Sequence, residues 1–219
     1  MKRLDNYNYM KNLTDWVDQK DIFKKDFIWP RQFEIHLPSN KEIACDFHCF
    51  YCQGSKLDMA LGFDEKKALK LIEEIGPDKF EYYIYGGAYT EPLLNPYFMD
   101  FIRITKKNNA YFGIHTNGSQ LKKLQEKDGF CTELVSLMKD QKDYISISLD
   151  GGSPESHSKT KNIKYDAWTD IIEGIKILVD ERKKLNSPGS IRVAYLLNKW
   201  NSGDEELEKF IKMMKEIKV

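Results

Sequence analysis

Cys45, Cys49 and Cys52 stand together in the run ACDFHCFYCQG, a C-x3-C-x2-C spacing that gathers three thiols into one short loop. The remaining cysteine, Cys131, lies far along the chain. An iron–sulfur cube of the [4Fe–4S] type usually takes four cysteines. Held by three, it keeps one iron open to a small molecule, so the cluster becomes a reagent. Two other chemistries compete for the same residues. Structural zinc takes four Cys or His ligands, commonly from two short clips; His36, His48 or Cys131 would have to complete the set, and the chain has no second clip. A disulfide framework fits an odd cluster of three poorly. The absence of a secretory signal and the wealth of Lys and Glu also point to a reducing compartment.

Such a loop needs a scaffold, and the pattern around it is of short strands alternating with longer amphipathic helices. Phe33–Leu37 alternates as a strand and feeds into the cysteines. Further strands are expected at Tyr82–Tyr85, Tyr111–His115, Tyr144–Leu149 and Ile191–Leu197. Helices are expected after a cap at Asp64, from Pro96, from about Thr132, through Ile171–Val179 and through Leu207–Met214. A polar helical arm is expected around Leu13–Lys25, which divides the chain into an arm over 1–32 and one βα domain over 33–219. Strands separated by helices of this length make βαβ units and a parallel sheet.

The strands do not read as continuous apolar runs, as parallel strands covered on both faces normally do. Phe33, Ile35 and Leu37 alternate with Glu34 and His36, and Ile145, Ile147 and Leu149 with Ser146, Ser148 and Asp150. One face therefore packs under helices. The other lines a polar interior, which suits a curved, incompletely closed barrel of TIM type. Glu34, His36, His115 and Arg192 would lie inside, either satisfying one another or facing a ligand, because an unpaired buried polar group costs several kcal/mol.

Each conspicuous motif then falls at the carboxyl end of a strand, where βα barrels build their sites. They are the cysteine loop, Gly86–Gly87, Thr116–Asn117–Gly118 and Ser148–Leu149–Asp150–Gly151. Taken singly, the glycine, Asn-Gly and Asp-Gly pairs are ordinary turns.

Taken together and in this order, they resemble the radical S-adenosylmethionine (radical SAM) enzymes. The resemblance covers Phe33 to the last helix. It implies a [4Fe–4S] cluster on Cys45, Cys49 and Cys52, with Tyr51 the aromatic beside the last ligand. It implies S-adenosylmethionine held by Gly86, Gly87 and Glu91 near its amino group, by Ser148 and Asp150 near its ribose and carboxylate, by Asn117 of a T-N-G turn, and by the segment through Asn198 near its adenine. Ala88–Tyr89–Thr90 separate the glycines from Glu91, a departure from the simpler G-G-E-P form. The resemblance further implies a small-molecule or peptide substrate and an external electron donor of flavodoxin or ferredoxin type. It leads us to expect an open partial barrel, C-terminally truncated before a sixth βα unit. The non-catalytic alternatives are an iron–sulfur electron carrier and a zinc-binding module.

The chain has 219 residues, 41% of them hydrophobic, enough for one sizeable core. Its 34 basic and 34 acidic side chains cancel, leaving no field and no basic run to footprint nucleic acid. No stretch approaches a membrane-spanning length of apolar residues. The sequence thus reads as a cytoplasmic, soluble protein.

Overall fold

The structure, a computed structural model, describes residues 28–39, 43–53, 63–86, 89–164 and 166–219. The expected arm at Leu13–Lys25 lies outside these residues, as does Gly87. Among these residues five strands form one parallel sheet in the order β1-β2-β3-β4-β5: β1 Gln32–Ile35, β2 Tyr82–Tyr85, β3 Tyr111–Thr116, β4 Tyr144–Ser148 and β5 Ser190–Ala194. The helices are α1 Glu65–Ile75, α2 Phe98–Lys107, α3 Leu121–Asp128, α4 Phe130–Leu137, α5 Pro154–Lys161, α6 Trp168–Lys184 and α7 Asp204–Ile217, with a 3-10 turn at Pro92–Leu94. None of them is long and apolar enough to cross a membrane.

The alternation in the strands produces two unlike faces. Ile35, Tyr83, Tyr85, Phe112, Ile114, Ile145, Ile147 and Ile191 are buried in one core with Ile72, Phe101, Ile102, Leu134, Ile171, Ile175 and Leu178 of the helices. At roughly 1.5–3 kcal/mol per fully buried aliphatic or aromatic side chain, this layer is the main stabilising term. The opposite face carries Glu34, Ile84, Gly113, His115, Tyr144, Ser146 and Arg192. Gly113 is needed there: a Cβ on it would stand 2.4 Å from Tyr144 Cζ. Without one, the Tyr144 ring lies across the sheet and its hydroxyl meets His115 Nε2 at 3.0 Å. Arg192 Cζ sits 4.0 Å from the same ring centroid, and His36 Nε2 is 3.5 Å from Glu34 Oε1. The polar side chains of this face thus pair among themselves while Glu34 and His36 keep 43% and 35% of their side chains exposed.

Two helices escape the periodicity. The α3 segment LKKLQEKD carries only two apolar residues, of which Leu121 is buried. The α5 segment PESHSKTK has no aliphatic or aromatic core stripe; Ser153 caps it in a reciprocal box with Ser156, and a proline opens it. Two starts shift as well. The helix expected from Pro96 begins at Phe98, after the 3-10 turn, and the one expected near Thr132 begins at Phe130, directly after Gly129. At the start of α1, Asp64 does accept from Lys67 N, as its position before the apolar stripe predicts.

Candidate active site

The cysteine loop follows β1 and is tied to three neighbouring segments. Glu91 N donates to Ala44 O at 3.0 Å, fastening it to the loop after β2. Phe50 N donates to Thr160 O of α5 at 3.4 Å, and Cys52 N closes a turn on Cys49 O at 3.0 Å. Phe47 is buried against the ring of His157 at 6.0 Å. Burial, with the adjacent Lys161 charge adding to it, drops the His157 pKa to about 4, so the ring packs as a neutral group.

Asp46, between the first two cysteines, makes the fourth attachment. Its Oδ1 accepts from Asn117 Nδ2 at 2.7 Å, and its Oδ2 from Ser119 Oγ at 2.7 Å and Gln120 Nε2 at 3.3 Å. The loop after β3 is itself held by Glu91, which is only 1% exposed. Glu91 Oε1 accepts from the Thr116 hydroxyl at 2.6 Å and Leu93 N at 3.1 Å, while Oε2 accepts from Asn117 N at 2.6 Å. Burial pushes the Glu91 carboxyl up to about 7 despite these three donors.

A second buried polar knot lies where β4 ends. Asp150 takes a left-handed φ of 54° and accepts through Oδ2 from Tyr51 OH at 2.8 Å and Lys161 Nζ at 2.7 Å, and through Oδ1 from Leu196 N at 2.6 Å. Lys161 also donates to Tyr51 OH at 3.3 Å. Asn201 Nδ2 donates to the Asp150 carbonyl at 3.0 Å and to Leu196 O at 2.9 Å. Asn198 is engaged by Thr160 Oγ1 at 3.1 Å and by its own loop.

These attachments surround a cavity of about 550 Å³, a size typical of small-ligand and cofactor sites. Cys45, Cys49 and Cys52 all line it, with Tyr51, Thr90, Glu91, Asn117, Ser148 and Lys161 among the rest. Gly86 stands at the end of β2 with φ of 88°, so close to β3 that a Cβ would meet His115 O at 2.1 Å. Gly86, Asp150 and Asn198 do not line the cavity, and Gly87 lies outside the described residues. Lys161, Thr90 and Asp46 are additions that the sequence did not single out. Asp46 was findable, since it sits between two ligands; one lysine at the end of a polar helix in a lysine-rich chain carried no signal.

The donor set fits a cluster. Burial raises the Cys49 thiol and pushes the Cys45 thiol well above the ordinary range, so a bound cation must displace their protons. Among the described residues no three His, Cys, Asp or Glu side chains converge closely enough to hold a single metal ion. A cluster with several irons would draw on the three cysteines one by one. Cys131 is no part of it: it is buried in α4, its Sγ 3.6 Å from Leu121 O. Thr90 Oγ1 is buried with no hydrogen-bond partner among the described residues, on a residue that faces the cavity, and a bound cofactor would satisfy it.

Comparison with known proteins agrees with this geometry. The family model described as the Radical SAM superfamily matches residues 43–214. No curated protein matches the chain. Among solved structures, the fold is similar to Streptococcus suis SuiB, at 13% identity and a TM-score of 0.62 over 100% of this chain and 45% of that one. SuiB bound to S-adenosylmethionine gives 15% identity and a TM-score of 0.61, over 97% of this chain and 43% of that one. SuiB bound to its precursor peptide SuiA gives 14% and 0.63, over 98% and 43%. The chain therefore spans less than half the length of the SuiB chain it resembles.

Proposed function

The chain belongs to the radical SAM superfamily, enzymes whose cofactors are a [4Fe–4S] cluster and S-adenosylmethionine, and from that premise we propose that its five-stranded domain starts a reaction by abstracting hydrogen from a substrate lying against the polar face of the sheet. The observation that carries this reading is the opening of three cysteines onto one cavity walled by the ends of β2, β3 and β4. When bound, the cofactor pair supplies a 5′-deoxyadenosyl radical, made by passing one electron to the sulfonium.

Cys45, Cys49 and Cys52 hold the cluster. Gly86, lacking a side chain where β2 meets β3, lets the two strand ends close together behind the wall, and Ser148 and Thr90 offer hydroxyls to the cofactor's polar groups. Lys161 presents a buried ammonium on the same wall. Tyr51 borders the cofactor with its ring while its hydroxyl is fixed by Asp150. Glu91 on the wall and Asp150 behind it order the backbone that surrounds the cavity.

His115 lines the cavity and also belongs to the polar sheet face, so it marks the path from cofactor to substrate. Burial lowers its pKa, Glu34 opposing and Arg192 reinforcing that shift, so the imidazole is neutral at physiological pH and able to hold or pass a proton. The substrate is a small molecule or a peptide; similarity of fold to SuiB, solved with its precursor peptide, supports the peptide. Electrons come from an external donor of flavodoxin or ferredoxin type.

The test is electron paramagnetic resonance of the anaerobically reconstituted, reduced chain. About one cluster per chain is expected, and S-adenosylmethionine should shift the spectrum by binding the open iron. An intact cluster whose spectrum ignores saturating cofactor makes the chain an electron carrier. Stoichiometric zinc without iron or sulfide makes it a zinc module.

A further inference from the structure

Asn117 occupies a place that cofactor binding does not explain. Every polar atom of the residue apart from its carbonyl is committed inside the protein. Its backbone N–H goes to Glu91 Oε2 at 2.6 Å, and its Oδ1 accepts from Ser119 N at 2.8 Å. Its Nδ2 donates to Asp46 Oδ1 at 2.7 Å and is also directed at Cys45 Sγ, 3.7 Å away. Cys45 receives a second N–H from Phe47 at 3.4 Å. The first cysteine thus has two carboxylates near it, Asp46, whose Oδ1 is 3.9 Å from Sγ, and Glu91, and a single asparagine donates to both of them.

We propose that Asn117 is a positioning residue for the cluster, with its carboxamide N–H held on Cys45 Sγ by Asp46 so as to raise the cluster's reduction potential. The inference rests on the cluster assignment of the proposed function. Its physics is that of any iron–sulfur site: N–H donors to sulfur stabilise the extra negative charge of the reduced state, and nearby carboxylates destabilise it. The Asn117 carboxamide supplies a donor to sulfur and engages Asp46, while its backbone N–H engages Glu91. Asp46 is the residue that orients it. Asp46 Oδ2 is in turn held by Ser119 and Gln120, so the amide has one preferred direction.

The experiment is a redox titration of the reconstituted full chain without S-adenosylmethionine, following the reduced-cluster signal in wild type and in Asn117→Ala. The variant should keep its iron and sulfide and show a more negative midpoint. An unchanged or more positive midpoint overturns the proposal. Should the variant fail to hold a cluster, the wild type decides alone: with side-chain 15N-asparagine, pulsed resonance on the reduced cluster should show a weak 15N coupling, and its absence overturns the proposal. If the wild type forms no [4Fe–4S] cluster, the underlying functional reading has failed instead.

Discussion

Lys161 Nζ lies 2.7 Å from Asp150 Oδ2, with 1% and 2% of the two side chains exposed. This ion pair links the last turn of α5 to the end of β4, and Tyr51 joins it from the cysteine loop. Removing one partner leaves a buried charge uncompensated, at a cost of about 3–5 kcal/mol. Asp150→Asn retains a residue that tolerates the left-handed backbone, so its loss of stability in urea should report the lost charge together with the one acceptor oxygen that becomes an amino group, and not backbone strain. Adding Lys161→Met should recover part of that loss. Additive losses in the double variant would mean that the pair is uncoupled.

Cys45→Ala, Cys49→Ala and Cys52→Ala should each lose most of the iron and acid-labile sulfide after reconstitution. Cys131→Ala should retain both and lose only about 1 kcal/mol or so, the worth of one buried group. Iron analysis distinguishes the two patterns, and loss of iron from Cys131→Ala would refute the ligand assignment.

Glu91 should make stability depend on pH in an unusual direction. Its folded pKa, about 7, is raised above the ordinary 4.5. Below pH 4.5 both states hold the proton. Between 4.5 and 7 the unfolded chain releases it first, so the folded state binds more protons and stability falls as pH rises. The full loss is about 3 kcal/mol. Glu91→Gln lacks this slope, so the gap in unfolding free energy between wild type and variant should change by about that amount from pH 5 to pH 8, to the variant's advantage. A constant gap would place the Glu91 pKa in the normal range.

Gly113→Ala should destabilise the domain by about 1–3 kcal/mol, because the new methyl overlaps Tyr144 Cζ, Tyr144 Oη and Ile84 Cδ1, at 2.4, 2.5 and 2.6 Å. Displacing that ring also breaks its contact with His115. The His115 imidazole resonances should therefore shift in Gly113→Ala as they do in Tyr144→Phe. Unmoved resonances would show that the ring can step aside.

The sheet was legible because its strands alternate, and Ile145, Ile147 and Leu149 announce their buried side without help from context. The cysteines were legible because three thiols at fixed spacing have few uses. Glu91, Asn117 and Asp150 show the limit of this reading. Position at a strand end identifies them as parts of the site, but whether a carboxylate faces a ligand or a backbone amide depends on distances between loops that are remote in sequence. Lys161 and Asp46 owe their importance to the same long-range closures. Helix α5 was missed for a different reason: its stability begins with a cap, and apolar periodicity cannot register a cap.

The strand order carries a consequence for synthesis. Because β1 to β5 lie side by side in the order in which they are made, no strand must be threaded between two that have already paired. The sheet can grow from one edge as the polypeptide leaves the ribosome. Ile35 O can take its bond from Gly86 N, and Ala44 O its bond from Glu91 N, before β4 exists. The cysteine loop is then moored early, and the Asp150–Lys161–Tyr51 knot arrives last to lock it. Vectorial growth of this kind leaves the thiols accessible until the fourth strand and its helix have docked.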